Sequence, residues 1–266
     1  MGPLQLTSFP AKFSKMSQSL YQKYRPQAFA DVVGQEPVKE SLRNQVMRNK
    51  VTHAYLFTGP RGVGKTTLAR ILARAVNCEN PTNGEPDNLC ASCKRILDGA
   101  ALDVIEIDAA SHTGVDNVRE HVITAARVPP VGLKRKVFII DEVHMLSTSA
   151  FNALLKTLEE PPEHALFIMA TTESHKIPMT IVSRCQRFDF KRILLDQMVD
   201  RLSRVAKSEG VEVDRAVLDR VAAKSEGALR DAETLLGQLF ALGETKISED
   251  VAELVLPRSQ IQLVLG

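Results

Sequence analysis

The chain has 266 residues, 44% hydrophobic and 25% charged, and its 34 basic against 32 acidic side chains leave a net charge of +2. That length allows one or two domains with a sizeable core, and the balanced charge excludes an overall polycationic nucleic-acid binder while allowing a local basic surface. No apolar run approaches the roughly 18 residues of a membrane span, and four cysteines, three of them clustered, suit a metal site or reduced thiols in the cytoplasm better than a secreted disulfide framework.

Residues 1–19 read as a flexible N-terminal extension: Met1 to Lys15 carries two prolines and no periodicity, and Met16 is an alternative start. The first 30 residues contain no acid but also no signal-type apolar stretch. Strand-like runs at 53–58, 102–108, 137–141 and 165–171, with a weaker one at 186–190, alternate with helical patterns at 38–48, 66–77, 115–126 and 148–158. Apolar strands separated by amphipathic helices predict a parallel sheet covered on both faces. Pro129-Pro130 and Pro161-Pro162 follow two of those helices as stop signals. Beyond about 190 the strand signals vanish and four helical patterns follow, at 195–208, 215–225, 228–242 and 249–256. The fold class expected is therefore α/β over 20–190, then a small all-helical domain over 191–257. Residues 258–266 begin a further segment that reads as the start of a longer C-terminal region.

Gly59-Pro-Arg-Gly-Val-Gly-Lys-Thr-Thr67 fits G-x-x-x-x-G-K-[ST] without a mismatch and stands between a strand and a helix. Gly59, Pro60, Gly62, Val63, Gly64 and Thr67 would wrap the polyphosphate. Lys65 would reach the β- and γ-phosphates, and the Thr66 hydroxyl would bind Mg²⁺. The apolar strand ending in Asp141-Glu142 supplies the second part. Asp141 at the sheet edge holds Mg²⁺, and Glu142 is placed as the base for an attacking water, so the pair favours ATP hydrolysis over binding alone.

Other candidates are weaker on spacing. Arg184 follows a short helical turn, where a cation suits either an ordinary surface ion pair, the commoner role, or a finger inserted into a neighbour's γ-phosphate site. Thr171 ends a strand where a hydroxyl can sense the γ-phosphate or bond the local backbone. Arg230 opens a helix, an unfavourable place for a cation in the helix dipole, which favours a role outside that helix. Cys78, Cys90 and Cys93 suggest structural Zn²⁺. Asp87 stands three residues before Cys90 and continues the period, but Cys₃Asp sites are uncommon, so a bound, a weakened and an unfilled site remain open readings. Lys134-Arg-Lys136 can touch nucleic-acid phosphate, though such runs are more often solvated turns.

These residues together resemble the γ/τ-type clamp-loader subunits of bacterial DNA polymerase III, members of the AAA+ ATPases. The resemblance covers about residues 20–258 and is carried by Tyr24-Arg-Pro-Gln-Ala-Phe-Ala-Asp-Val-Val-Gly-Gln35, Gly59–Thr67, Asp141-Glu-Val-His144, Phe151-Asn-Ala-Leu-Leu-Lys-Thr-Leu-Glu-Glu-Pro-Pro162, Ala170-Thr-Thr172, Ser183-Arg-Cys185 and Gly227-Ala-Leu-Arg230. It implies that Arg25, Pro26, Val32 and Val33 surround the adenosine, that Thr171 is the sensor-1 residue, and that Arg230 is the sensor-2 arginine. It also implies that Arg184 acts in trans.

Implied partners are δ and δ′ subunits, further γ/τ copies, the sliding clamp and primed DNA, in a hetero-oligomeric ring held by a C-terminal collar and without a membrane. Such a subunit would be classed with DNA-directed DNA polymerase, a nucleotidyltransferase. The family commonly has a fourth cysteine where this chain has Asp87. A small-molecule kinase would need an acceptor lid inserted in the sheet. A non-hydrolysing clamp-loader subunit would not need Lys65, Thr66, Asp141 and Glu142 together. A related repair or recombination motor would share the AAA+ core and is the remaining alternative.

Overall fold

The computed structural model describes residues 18–111 and 118–257. Residues 1–17 of the expected 1–19 extension, the onset of the 115–126 helix and the segment 258–266 lie outside these residues. Five parallel strands form the main sheet: β1 (Ala54–Thr58), β2 (Val104–Asp108), β3 (Lys136–Asp141), β4 (Ala165–Thr171) and β5 (Gln186–Asp189), in the order β2-β3-β4-β1-β5. Strands β1 and β4 are buried throughout and β3 everywhere but its last residue, as a central position between two helical layers requires.

Helices α1 (Leu20–Lys23), α2 (Glu36–Met47), α3 (Lys65–Asn77), α4 (Ala91–Leu97) and α5 (Ala125–Arg127, continuing a π-helical turn at Arg119–Thr124) precede β3. On one face of the sheet, Leu68, Ile71 and Leu72 of α3 and Leu42 of α2 pack on Tyr55, Phe57, Ile139 and Ile168. On the other face, α6 (Thr148–Glu159) contributes Phe151 and Leu154, which pack with Phe138, Ile140 and Phe167. Ser147 caps α6 by accepting the Ala150 amide at 3.2 Å, satisfying one of the donors a helix start leaves open.

After the short α7 (Met179–Val182) and β5, the chain enters the second domain, built from α8 (Leu195–Glu209), α9 (Arg215–Lys224), α10 (Leu229–Phe240) and α11 (Glu249–Ala252). Two expectations need correction here. The domain is not all helical: β6 (Glu212–Val213) and β7 (Lys246–Ile247) pair in parallel, because the chain re-enters alongside itself after α10 and its open backbone groups find partners there. The segment Leu20–Tyr24, expected within the α/β domain, also packs on the second domain's core. Leu20 and Tyr24 lie against the second domain's core, Lys23 pairs with Glu209 at 2.7 Å, and Arg201 donates to the Tyr24 carbonyl. Short α4 was not legible in advance. It starts at Cys90, whose sulfur accepts the Cys93 amide in the role an oxygen usually takes.

Candidate functional site

The strand order brings the chemistry together. Because β4 lies between β1 and β3, the carboxyl ends of these strands place the phosphate loop, Thr171 and Asp141 along one edge of the sheet, where ligands bind in open α/β folds. The loop runs into α3, so Lys65 is both the motif cation and the first helical residue. Its ammonium is held by the carbonyls of Gly59 at 2.8 Å and Pro60 at 2.7 Å. Burial pulls the Lys65 ammonium below its ordinary pKa, and the nearby Glu142 and Asp141 carboxylates act in the opposite direction.

Thr66 donates its hydroxyl to Asp141 Oδ2 at 2.6 Å, bringing together the two side chains expected to share a cation. The Glu142 amide donates to Asp141 Oδ1 at 2.9 Å, and Glu142 itself has a left-handed backbone at φ 46°. Its carboxylate Oε2 accepts the Thr172 hydroxyl at 3.1 Å. Thr171 is fully buried, and its hydroxyl meets His144 Nδ1 at 3.0 Å and accepts the Glu173 amide at 3.0 Å. Of the two adjacent threonines, Thr172 is therefore the one that touches the acid, and Thr171 acts on His144.

One cavity is lined by Arg25, Pro26, Val32, Val33, Gly62, Val63, Gly64, Lys65, Thr66, Thr67, Asp141, Glu142 and Arg230, which unites nearly every residue singled out for nucleotide. Gly59 and Pro60 stand behind it as the acceptors of Lys65. The second domain closes the far side. The Arg230 amide donates to the Gly62 carbonyl at 3.4 Å, and a Cβ on Gly62 would press on the Ala228 Cβ at 3.1 Å, at a backbone φ of +74° that itself favours glycine. The Arg230 guanidinium lies 4.6 Å from the Tyr21 ring centroid, a cation–π contact. Tyr21, Arg61, Ile193, Leu229 and Glu233 also line the cavity and were not picked from sequence. Tyr21 stands three residues before Tyr24 of the Tyr24-Arg-Pro motif, which is the one local signal near it.

A second cluster forms at the other end of α3. Cys78 caps that helix, and the ligand atoms of Cys78, Asp87, Cys90 and Cys93 all lie within 4.8 Å of one another. A tetrahedral thiolate set around zinc spans about 3.8 Å between sulfurs, so the four groups fit such an ion after a contraction of about 1 Å. The sulfurs also accept backbone amides, Cys78 from Asp87 at 3.3 Å and Cys90 from Cys93 at 3.4 Å. Amides of Cys90 and Leu89 hold the Asp87 carboxyl well below the usual carboxylate range, and burial pushes the Cys78 and Cys93 thiols up.

A family model described as DNA polymerase III, delta subunit, matches residues 34–193. The chain belongs to that family. Within this polymerase III family, it is 51% identical over 250 residues to the DNA polymerase III subunit tau of Bacillus subtilis, covering 94% of this chain and 44% of that protein. It is 45% identical over 239 residues to subunit tau of Escherichia coli, covering 90% and 37%, and 46% identical over 231 residues to subunit gamma/tau of Mycoplasma pneumoniae, covering 87% and 34%. The chain thus spans less than half the length of these curated relatives. The RuvB Holliday junction branch migration motor of Thermotoga maritima superposes with a TM-score of 0.65 at 21% identity over 87% of this chain and 72% of that one, a likeness of fold alone.

This fold is the AAA+ arrangement that the resemblance implied, with a mainly helical lid against the phosphate loop. Arg184 lies away from the cavity of its own chain. It pairs with Glu159 at the end of α6 at 2.5 Å and donates to the Thr180 carbonyl at 2.6 Å, both on the surface. No helix among the described residues is long and apolar enough to cross a membrane.

Proposed function

We propose that the chain is the ATP-driven motor part of a bacterial DNA polymerase III clamp-loader subunit, binding and hydrolysing ATP to open and load a sliding clamp on primed DNA. The observation that carries this reading is the single cavity in which Lys65, Thr66, Asp141 and Glu142 meet Arg230 of the lid. Arg25, Pro26, Val32 and Val33 would hold the adenosine, and the loop amides with Lys65 the phosphates. Mg²⁺, when bound through Thr66 and Asp141, would neutralise charge on the transferring phosphoryl group. Glu142 would take the proton of the water that attacks the γ-phosphorus as the β–γ bridging bond breaks. Thr172 on Oε2 would orient the carboxylate and leave Oε1 to receive that proton.

Arg184 would serve the cavity of a neighbouring copy, exchanging Glu159 for phosphate, and Thr171 would act through His144. The ring would include δ and δ′ subunits and further copies of this chain's type, joined by a C-terminal collar. Cys78, Asp87, Cys90 and Cys93 would hold a structural Zn²⁺ that supplies cross-linking rather than chemistry.

The decisive measurement is ATP turnover of the full-length subunit with its partners, clamp and primed DNA. Arg184→Ala should retain near-normal nucleotide binding while hydrolysis falls about a thousandfold. Unchanged hydrolysis would sink the action in trans. Undiminished clamp loading by Lys65→Ala would sink the functional reading as a whole.

A further inference from the structure

The loop between the two ends of the cysteine cluster grips the chain segment that lines the base side of the nucleotide cavity. Arg25, Pro26, Val32 and Val33 face that cavity. Backbone groups of the residues between them are held from the insertion. Glu85 accepts the Phe29 amide at 2.7 Å and the Ala30 amide at 3.1 Å, capping the short 3-10 turn Phe29–Asp31. The same carboxylate pairs with Arg43 of α2 at 3.2 Å, and its side chain is only 17% exposed. Asn88 donates to the Gln27 carbonyl at 3.1 Å. That carbonyl also accepts Arg74 of α3 at 2.7 Å, a residue only 4% exposed.

The turn that carries Glu85 is itself fixed. Thr82 and Glu85 exchange backbone hydrogen bonds at 3.1 and 3.0 Å, and a Cβ on Gly84 would collide with the Arg43 carbonyl oxygen. Glu85 and Asn88 thus sit inside the loop closed by Cys78 at one end and by Asp87, Cys90 and Cys93 at the other.

From this arrangement we propose that the insertion is a positioning device for the base pocket: Glu85 and Asn88 hold residues 27–30 in place, and occupancy of the Cys78–Asp87–Cys90–Cys93 cluster by Zn²⁺ is energetically linked to nucleotide affinity. The inference rests on the ATP-binding reading above. Closing the loop with a metal reduces the freedom of Glu85 and Asn88. A fixed Glu85 in turn fixes the backbone between Pro26 and Val32. Linkage is reciprocal, so bound nucleotide should slow metal release by the same factor that metal tightens nucleotide.

The test uses the full chain and three readouts. Glu85→Ala and zinc-stripped wild type should each bind ATP about tenfold more weakly, a typical coupling, while inorganic tripolyphosphate, which has no base to contact residues 25–33, binds as before. Glu85→Gln, which keeps one acceptor oxygen, should recover part of the loss. ATP should slow the loss of Zn²⁺ to a chromogenic chelator about tenfold, and tripolyphosphate should not. Equal weakening of ATP and tripolyphosphate, with a lowered Tm, would reveal general destabilisation and overturn the positioning role. Unchanged ATP affinity in both Glu85→Ala and the stripped protein would overturn the inference alone. A wild-type chain that bound no ATP at all would overturn the functional reading beneath it.

Discussion

The two ends of helix α3 are chemically opposite sites on one rod. Its N-terminus carries Lys65 and Thr66 and faces the cavity proposed for nucleotide, while its C-terminus ends at Cys78 in the cluster proposed for a cation. The helix dipole favours both assignments, since free amides collect at the first end and free carbonyls at the second. The ends differ in what completes them. The phosphate end draws on the carboxyl ends of three strands and on the lid, whereas the metal end is closed within residues 78–93. A site assembled from distant elements depends on the whole fold. A site closed within one loop depends on a few local turns, and it influences the rest only where that loop grips another segment.

The largest expected effect isolates the first end. Lys65→Ala should lower ATP turnover about a thousandfold and leave the zinc content of nucleotide-free protein unchanged by elemental analysis. Loss of metal would break the separation of the two ends. Glu142→Gln sharpens the division within the phosphate end: turnover should fall about a hundredfold with ATP affinity retained, as read by equilibrium binding beside single-turnover rates. A shared loss of affinity would mean that the Glu142–Thr172 contact holds the cavity's shape.

Asp103 tests a region that lines neither the cavity nor the cysteine cluster. It is buried and accepts the amides of Val131, Gly132 and Leu133 at 2.8 to 3.1 Å. Burial opposes its charge, but those amides outweigh it and hold the carboxyl below its ordinary value. Its pKa is depressed on folding, so its stabilisation is complete above the unfolded value of about 3.9 and fades as pH falls through the folded one. Asp103→Ala should cost roughly 3 kcal/mol near neutrality, with ATP affinity untouched. In urea titrations the gap between wild type and Asp103→Asn should close below about pH 4. A gap that persisted in acid would mean the carboxylate's charge is not what stabilises the loop.

The smallest effect belongs to the metal end. Asp87→Cys should tighten Zn²⁺ about tenfold by supplying a fourth thiolate, measured by competition with a chelator. ATP turnover at saturating metal should stay as in wild type. Weaker zinc binding would show that the Asp87 turn, held by the Leu89 and Cys90 amides at 3.0 and 3.1 Å, is needed more than the ligand type.

Much of the phosphate end was legible because its signals are contiguous. Gly59–Thr67 carries its own turn and helix start, and Val137–Asp141 its own strand and acid. Arg25, Pro26, Val32 and Val33 were reached only through resemblance, since nothing in their spacing says that they face a cavity. Tyr21, Arg61 and Glu233 were missed because what they face is decided by how the lid returns. Cys78, Asp87, Cys90 and Cys93 could be grouped by spacing, yet their convergence within 4.8 Å is a property of the folded loop.

By itself the sequence determined the alternation of strands and helices, the phosphate loop and the Asp141-Glu142 pair. Each depends on spacings within a few residues, which local sterics and amphipathic burial translate directly into structure. The tertiary structure alone decided that β4 separates β1 from β3, so that Thr172 and not Thr171 meets Glu142. It alone also decided that residues 20–24 belong to the lid's core and that Glu85 reaches back to Phe29 and Ala30. Those outcomes depend on which buried surfaces and open amides find each other across the chain, a competition that no local pattern records.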